Sequence, residues 1–233
     1  MADILNELTG RASGKVGNLV YRITNGKTSL CTPPLKPKVS TKPEVIARKN
    51  RFRLTIKFAS AVNKLLPLKY FWKNVIVTTT DEHKSAYSKI IKKNYPYVGE
   101  FGLSDLIYLV PTFGFGVTPG TIELANTGIS VELDPLGTGE DIDLTVEKKA
   151  QLACILFADT PATDLNLPQY DFIWQLSDKV NLNLVSSLAF SIPLTGPKTE
   201  IFDAYTNKKA FFALITLDAL DNPVRFSGTF HSA

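Results

Sequence analysis

At Gly99 the chain changes texture, and that change limits its fold more than any other feature. From there onward, short apolar runs are cut by Gly, Pro, Asn and Asp at about ten-residue intervals, the spacing of an all-β domain built from many short strands. The candidate strands are Leu106–Pro111, Gly120–Leu124, Ile129–Leu133, Ile142–Val146, Gln151–Ala158, Phe172–Leu176, Leu188–Leu194, Ala210–Asp218 and Val224–Phe230. Alternation in Leu188/Phe190/Ile192/Leu194 and in Val224/Phe226/Gly228/Phe230 predicts one buried and one solvated face. Asp221-Asn222-Pro223 is expected to join the last two strands as a short hairpin loop. Together these runs predict an antiparallel β-sandwich over residues 99–233, immunoglobulin-like in architecture although the Cys…Trp…Cys signature is absent.

Residues 1–98 read differently. In Asn18–Thr32, alternating Leu19, Tyr21 and Ile23 lead into Asn25-Gly26, the pair best able to take positive φ in a tight turn, so a β-hairpin is predicted. Before it lies a Gly-punctuated stretch read as an extended arm, and after it Pro33–Ser40 holds three prolines and two lysines and should be extended as well. Thr41-Lys42-Pro43-Glu44 has the form of a capping box, and Val45, Phe52, Ile56, Ala59, Val62 and Leu66 recur at helical spacing. A helix is predicted from about residue 42 to Leu65 or Leu66, ending before Pro67. Aromatic Tyr70, Phe71 and Trp72 follow, then a second helix from Asp81 to Asn94 with Thr80 as its cap. The fold class expected is therefore α+β, with an N-terminal arm, hairpin and two helices ahead of the sandwich.

Charge divides at the same place. Residues 1–98 carry 19 Lys+Arg against 5 Asp+Glu, whereas residues 99–233 carry 7 against 17, so the formal net charge of +4 conceals two opposite halves. At 233 residues with 44% hydrophobic content the chain can build a sizeable core. Its longest apolar runs, Leu152–Ala158 and Ala210–Ile215, are far short of the roughly 18–20 residues needed to cross a bilayer and suit buried strands. The opening MADILNELTG has acidic residues where a secretory signal carries positive charge, so export by the usual route is not expected. Cys31 and Cys154 do not make a disulfide framework, and reduced thiols are expected.

No reaction is visible in the residues. Gly10–Val16 has three residues between its glycines and Val after Lys15, so it is not a phosphate loop, and Gly114–Gly120 misses the dinucleotide spacing. With His83 and His231 as its two histidines, the chain offers little for a catalytic triad and no zinc-ligand spacing. Glu140, Asp141 and Asp143 form the densest acidic cluster but lack the calcium-loop pattern, and a solvated turn is expected there. No catalytic, metal-binding or cofactor-binding residue is assigned, and no cofactor is expected.

Binding is signalled instead by a nearly continuous basic run. Lys15, Arg22 and Lys27 lie on the arm and hairpin, Lys36, Lys38 and Lys42 on the Pro-rich link, and Arg48, Lys49, Arg51, Arg53 and Lys57 on the first helix. One reading is protein: a positive region lying on an acidic neighbour, such as the sandwich of another copy. The other is nucleic acid, where Lys and Arg neutralise phosphates. With no recognised DNA- or RNA-reading motif, protein–protein assembly stands first. A third reading, a carbohydrate-binding sandwich, has Tyr170 and Trp174 as its platform, with core packing as the plainer role for both.

Ser13-Gly14-Lys15-Val16-Gly17-Asn18-Leu19-Val20, the hairpin with Gly26-Lys27, the Pro/Lys link and the helix carrying Arg48 and Phe52 resemble an uncharacterised family of bacterial and prophage proteins. Its members pair an SGKVGN-type N-terminus with a C-terminal β-sandwich. Lys149-Ala150-Gln151-Leu152, Phe211–Asp218 and Val224–Phe230 fit the same pattern. The resemblance implies a non-enzymatic protein encoded by a phage or related element. Joined to the arm-and-sandwich layout, it favours a virion component such as a capsid-auxiliary, collar or tail protein, made in the host cytoplasm.

Overall fold

The computed structural model describes residues 3–5, 11–16, 19–24, 27–32, 41–74, 85–137, 142–162 and 166–232, and divides the chain into two units, Met1–Lys42 and Pro43–Ala233. Among the described residues, no helix is long and apolar enough to cross a membrane.

The first unit is an antiparallel meander, β1 (Asp3–Leu5), β2 (Arg11–Val16), β3 (Leu19–Thr24) and β4 (Lys27–Cys31), in that spatial order. β3 and β4 form the expected hairpin, with Thr24 opposite Lys27. The arm ahead of it holds two further strands, so Gly14-Lys15 belongs to a strand and not to a loop.

The second unit is α+β, with four helices and two antiparallel sheets among its described residues. Its centre is the pair β7 (Lys149–Pro161) and β11 (Tyr205–Leu217), aligned from Tyr205 opposite Pro161 to Leu217 opposite Lys149. β8 (Tyr170–Leu176) and β9 (Val180–Asn181) add to β7, while β12 (Pro223–Phe226) and β13 (Phe230–His231) add to β11. Against one face of this six-stranded sheet lie α1 (Pro43–Lys64), α2 (Leu66–Asn74) and α3 (Ala86–Asn94). Against the other lies a three-stranded sheet of β10 (Leu188–Pro193), β6 (Gly128–Leu133) and β5 (Pro119–Ala125).

Period-two geometry sends alternate residues of the central strands to different neighbours. Ala153, Ile155, Phe157, Phe211, Ala213 and Ile215 share a core with Leu54, Phe58, Val62 and Trp72 of the helices. Leu152, Cys154, Leu156, Phe212 and Leu214 share a second core with Ile129, Val131, Phe190 and Ile192 of the smaller sheet. Both faces are buried, which is why these strands read as continuous apolar runs without alternation. β10, covered on one face, keeps the alternation expected of it.

Several elements differ from expectation for local reasons. Helix α1 ends at Lys64, before Pro67, as expected. A second helix not expected there, α2, follows at once, with Pro67 in its first turn, where the missing N–H costs nothing, and with Tyr70, Phe71 and Trp72 on it. The second predicted helix is described from Ala86, capped by the Ser85 hydroxyl, which accepts from the Ser88 N–H at 3.2 Å; the Thr80 cap and His83 lie outside the described residues. Leu106–Pro111 is not a strand. Side chains satisfy its backbone: Asn94 Oδ1 accepts from Tyr108 N–H at 2.7 Å, Thr229 Oγ1 from Leu109 N–H at 2.9 Å, and Trp72 Nε1 donates to Leu109 O at 2.7 Å. Ile142–Val146 is a turn held by Asp143, whose carboxylate accepts from Thr145 N–H at 2.8 Å and Thr145 Oγ1 at 2.6 Å; those bonds hold its carboxyl below the usual range. Glu140 and Asp141 lie outside the described residues. The run Val224–Phe230 breaks between β12 and β13, so Phe226 packs with the helix-side core and Phe230 stacks on Phe212 in the other. The helix α4 (Pro197–Ala204) had no expectation attached to it.

At that break Phe115 forms a parallel bridge with Ser227, with Phe115 N–H donating to Phe226 O at 3.2 Å and Gly228 N–H to Phe115 O at 3.1 Å. A Cβ on Gly114 would stand 1.7 Å from Phe226 O and 2.6 Å from its carbonyl carbon. Gly114→Ala should therefore destabilise the second unit by about 2 kcal/mol or more, read as a lower denaturant midpoint with an unchanged slope. Gly102→Ala, with no atom within 4 Å of the added carbon, is the control that should stay near wild type.

Candidate functional site

Twenty-two residues of helix give α1 one face for the core and another for everything else. Leu54, Thr55, Phe58, Ala59, Ala61 and Val62 are buried, and at 3.6 residues per turn the row Lys49, Arg53 and Lys57, spaced by four, falls well away from them. All three are exposed, as is Arg48 on another flank. Arg51 is turned inward: its Nη2 and Nε donate to Tyr95 O at 2.7 and 3.1 Å, and its guanidinium lies 4.4 Å from the Tyr95 ring centre.

Arg53 and Lys57 line a cleft of about 410 Å³ whose other walls are Asn50 and Ile56 of α1, Phe101, and Pro168, Gln169 and Tyr170 at the entry to β8. The Tyr205 hydroxyl donates to Pro168 O at 2.8 Å and fixes that entry, while Asn50 Nδ2 donates to Glu100 Oε1 at 3.1 Å. Lys57 Nζ stands 4.8 Å from the Tyr170 ring centre and Lys64 Nζ 3.8 Å from that of Trp174, contacts of about 0.5–1 kcal/mol each at exposed positions. Burial pushes the Tyr170 phenol above its ordinary range, with Arg53 acting against it. The lining combines two cations, two aromatic rings and two amides, a set that recognises anionic and carbonyl groups. Among the described residues, the lining holds no carboxylate, histidine, cysteine or serine.

Of the residues singled out by sequence, Arg53 and Lys57 come together in the cleft, and Lys49 lies one turn along the same row. Lys15, Arg22 and Lys27 belong to the separate meander, where the pairings Lys15–Val20, Arg22–Ser29 and Thr24–Lys27 place the three positions on one face. Lys36 and Lys38 lie outside the described residues. Tyr170 and Trp174 both pack against the helix-side core, each with a lysine over its ring, which is the plainer of the roles weighed for them. Cys154 is a buried free thiol whose ionisation burial pushes far up. Among the described residues, no group of three His, Cys, Asp or Glu could hold a metal ion.

One charged residue with no sequence signal is Glu147. It is buried at the end of β7, accepting from the Thr216 hydroxyl on one oxygen and from Asp143 N–H at 3.1 Å on the other, with Arg225 Nε at 3.3 Å. Every partner comes from a different turn or strand, so the carboxylate ties three segments together. On the opposite side of the β11–β12 turn, a groove of about 530 Å³ is lined by Leu66, Tyr70, Leu176 and Leu217 and rimmed by Asp221. Lys149 and Lys179 pair with Asp221 at 2.9 and 3.0 Å and hold its carboxyl below the usual range.

Compared with known proteins, the chain matches no family model and no curated protein.

Arg225 is 42% exposed and stays solvated without its partner, but the Asp143 N–H and the buried Thr216 hydroxyl lose their acceptor when Glu147 is removed. Glu147→Ala should cost about 1–3 kcal/mol of stability, and Glu147→Gln less, because the amide oxygen still accepts a hydrogen bond. Chemical denaturation of the three proteins checks the order.

Proposed function

We propose that the protein is a non-enzymatic structural component of a phage virion, a capsid-auxiliary, collar or tail protein that works through repeated contacts between chains. The observation that carries this reading is the division into a small basic β-meander, Met1–Lys42, and a separate layered body. A short unit of that kind, which includes the Pro/Lys link, suits engagement of a neighbouring subunit. The likeness of the SGKVGN-type segment to prophage proteins points the same way, and two antiparallel sheets packed face to face suit the sandwich body of such a component.

A second reading, a nucleic-acid-binding accessory protein, rests on the exposed row Lys49, Arg53 and Lys57 and on the basic composition of residues 1–42. It is the weaker one. Arg51 is committed to a backbone carbonyl, and the chain carries no recognised DNA- or RNA-reading motif.

Mass spectrometry of purified particles tests the first reading, which expects the protein at a fixed copy number per particle. Its absence from particles would contradict that reading. A mobility-shift titration separates the second, because phosphate binding must weaken steeply as salt rises, whereas the assembly reading expects no shift at about 150 mM salt.

A further inference from the structure

The charge difference that divides the sequence is also distributed across the layers of the second unit. Residues 99–147 contain 9 Asp+Glu and no Lys or Arg. Two of those acids, Glu123 of β5 and Glu132 of β6, are exposed on the side of the three-stranded sheet that faces away from its core. Their cross-strand neighbours there are small: Ser130 lies opposite Glu123, Thr121 opposite Glu132, and Ala189 and Ser191 of β10 continue the same rows. Short side chains leave the two carboxylates standing on a low, flat surface with no cation among its cross-strand neighbours. The row Lys49, Arg53 and Lys57 belongs to the helical layer on the other side of the six-stranded sheet.

Opposite charges placed in opposite layers cannot meet within one molecule, and they are complementary between molecules. We infer that the exposed face of the three-stranded sheet is the docking surface for the Lys49–Arg53–Lys57 row of a second copy of this chain. The inference rests on the assembly reading and names its surfaces. Because the two patches are different and lie in different layers, the contact is heterologous, so successive copies add head to tail into a ring or a filament. Phosphate would suit the cation row alone and would leave Glu123 and Glu132 unused, whereas a second copy uses both.

The test is a charge exchange on the full chain, followed by analytical ultracentrifugation. Arg53→Glu with Lys57→Glu makes both patches acidic, and Glu123→Lys with Glu132→Lys makes both basic. All four side chains are exposed, and circular dichroism confirms that each variant is folded. Wild type should self-associate at low ionic strength and dissociate as salt rises. Each double variant alone should associate on the order of 100-fold more weakly, and an equimolar mixture of the two should associate again, since every contact then joins an acidic patch to a basic one. Undiminished association of either variant, or a mixture that remains monomeric, overturns the inference. If wild type associates and the variants do so equally, the surfaces are wrong and the assembly reading stands; if wild type is monomeric at every salt concentration and absent from particles, both fail.

Discussion

The pairing of β7 with β11 is the constraint on which the second unit depends. Twelve cross-strand pairs run from Tyr205–Pro161 to Leu217–Lys149, and every residue from Ala150 to Ala158 and from Ala210 to Leu217 is buried on one side or the other. A strand pair covered on a single face would support one layer. This one supports two, because odd-numbered β7 residues such as Ile155 and Phe157 meet the helices and even-numbered ones such as Cys154 and Leu156 meet the smaller sheet. A one-residue slip in register would exchange the two sets and put Phe211 where Phe212 belongs. The layers are therefore specified together, and the surfaces they present are held in a fixed relation by the same strands.

Polar groups complete what the apolar pattern begins. Asn94 donates to Ile90 O at 3.1 Å and Tyr108 O at 3.0 Å while accepting from Tyr108 N–H, so the end of α3 and the irregular segment after it are one structure. Glu147 does the same at the far end of the central pair, joining Asp143, Thr216 and Arg225. Such groups are costly to bury unpaired. Here each has partners in good geometry, and no buried side-chain nitrogen or oxygen among the described residues lacks one.

What could be read from sequence follows from which forces are local. The hairpin at Leu19–Cys31, helix α1 and the strands β5, β6, β7, β8, β10 and β11 were legible because their periodicity or turn chemistry is carried by neighbours in the chain. Leu106–Pro111 was misread because its apolar residues do pack in the core, while its backbone is satisfied by Asn94, Thr229 and Trp72, which are far away in sequence. Val224–Phe230 reads as one strand but breaks at Ser227, whose hydroxyl accepts from Leu214 N–H at 2.9 Å and which forms a parallel bridge with Phe115. The basic run of α1 was legible as charge. Its sorting into an outward row and an inward Arg51 depends on Tyr95 and Tyr170, which only the fold brings near, and nothing in the sequence marks Glu147 as buried. The helices read with the basic half share a core with the acidic half, so the boundary in charge at Gly99 falls inside a packed unit.

Under the proposed self-assembly the opposed charges have a use, because the strand pair fixes a cationic helical layer and an anionic sheet face at a set separation. Zero-length cross-linking of lysines to carboxylates, in a mixture of isotopically light and heavy protein, tests this most directly. The account predicts mixed-isotope links between Lys49 or Lys57 and Glu123 or Glu132. Links at these residues confined to single-isotope peptides, or no mixed link involving Glu123 or Glu132, would contradict it.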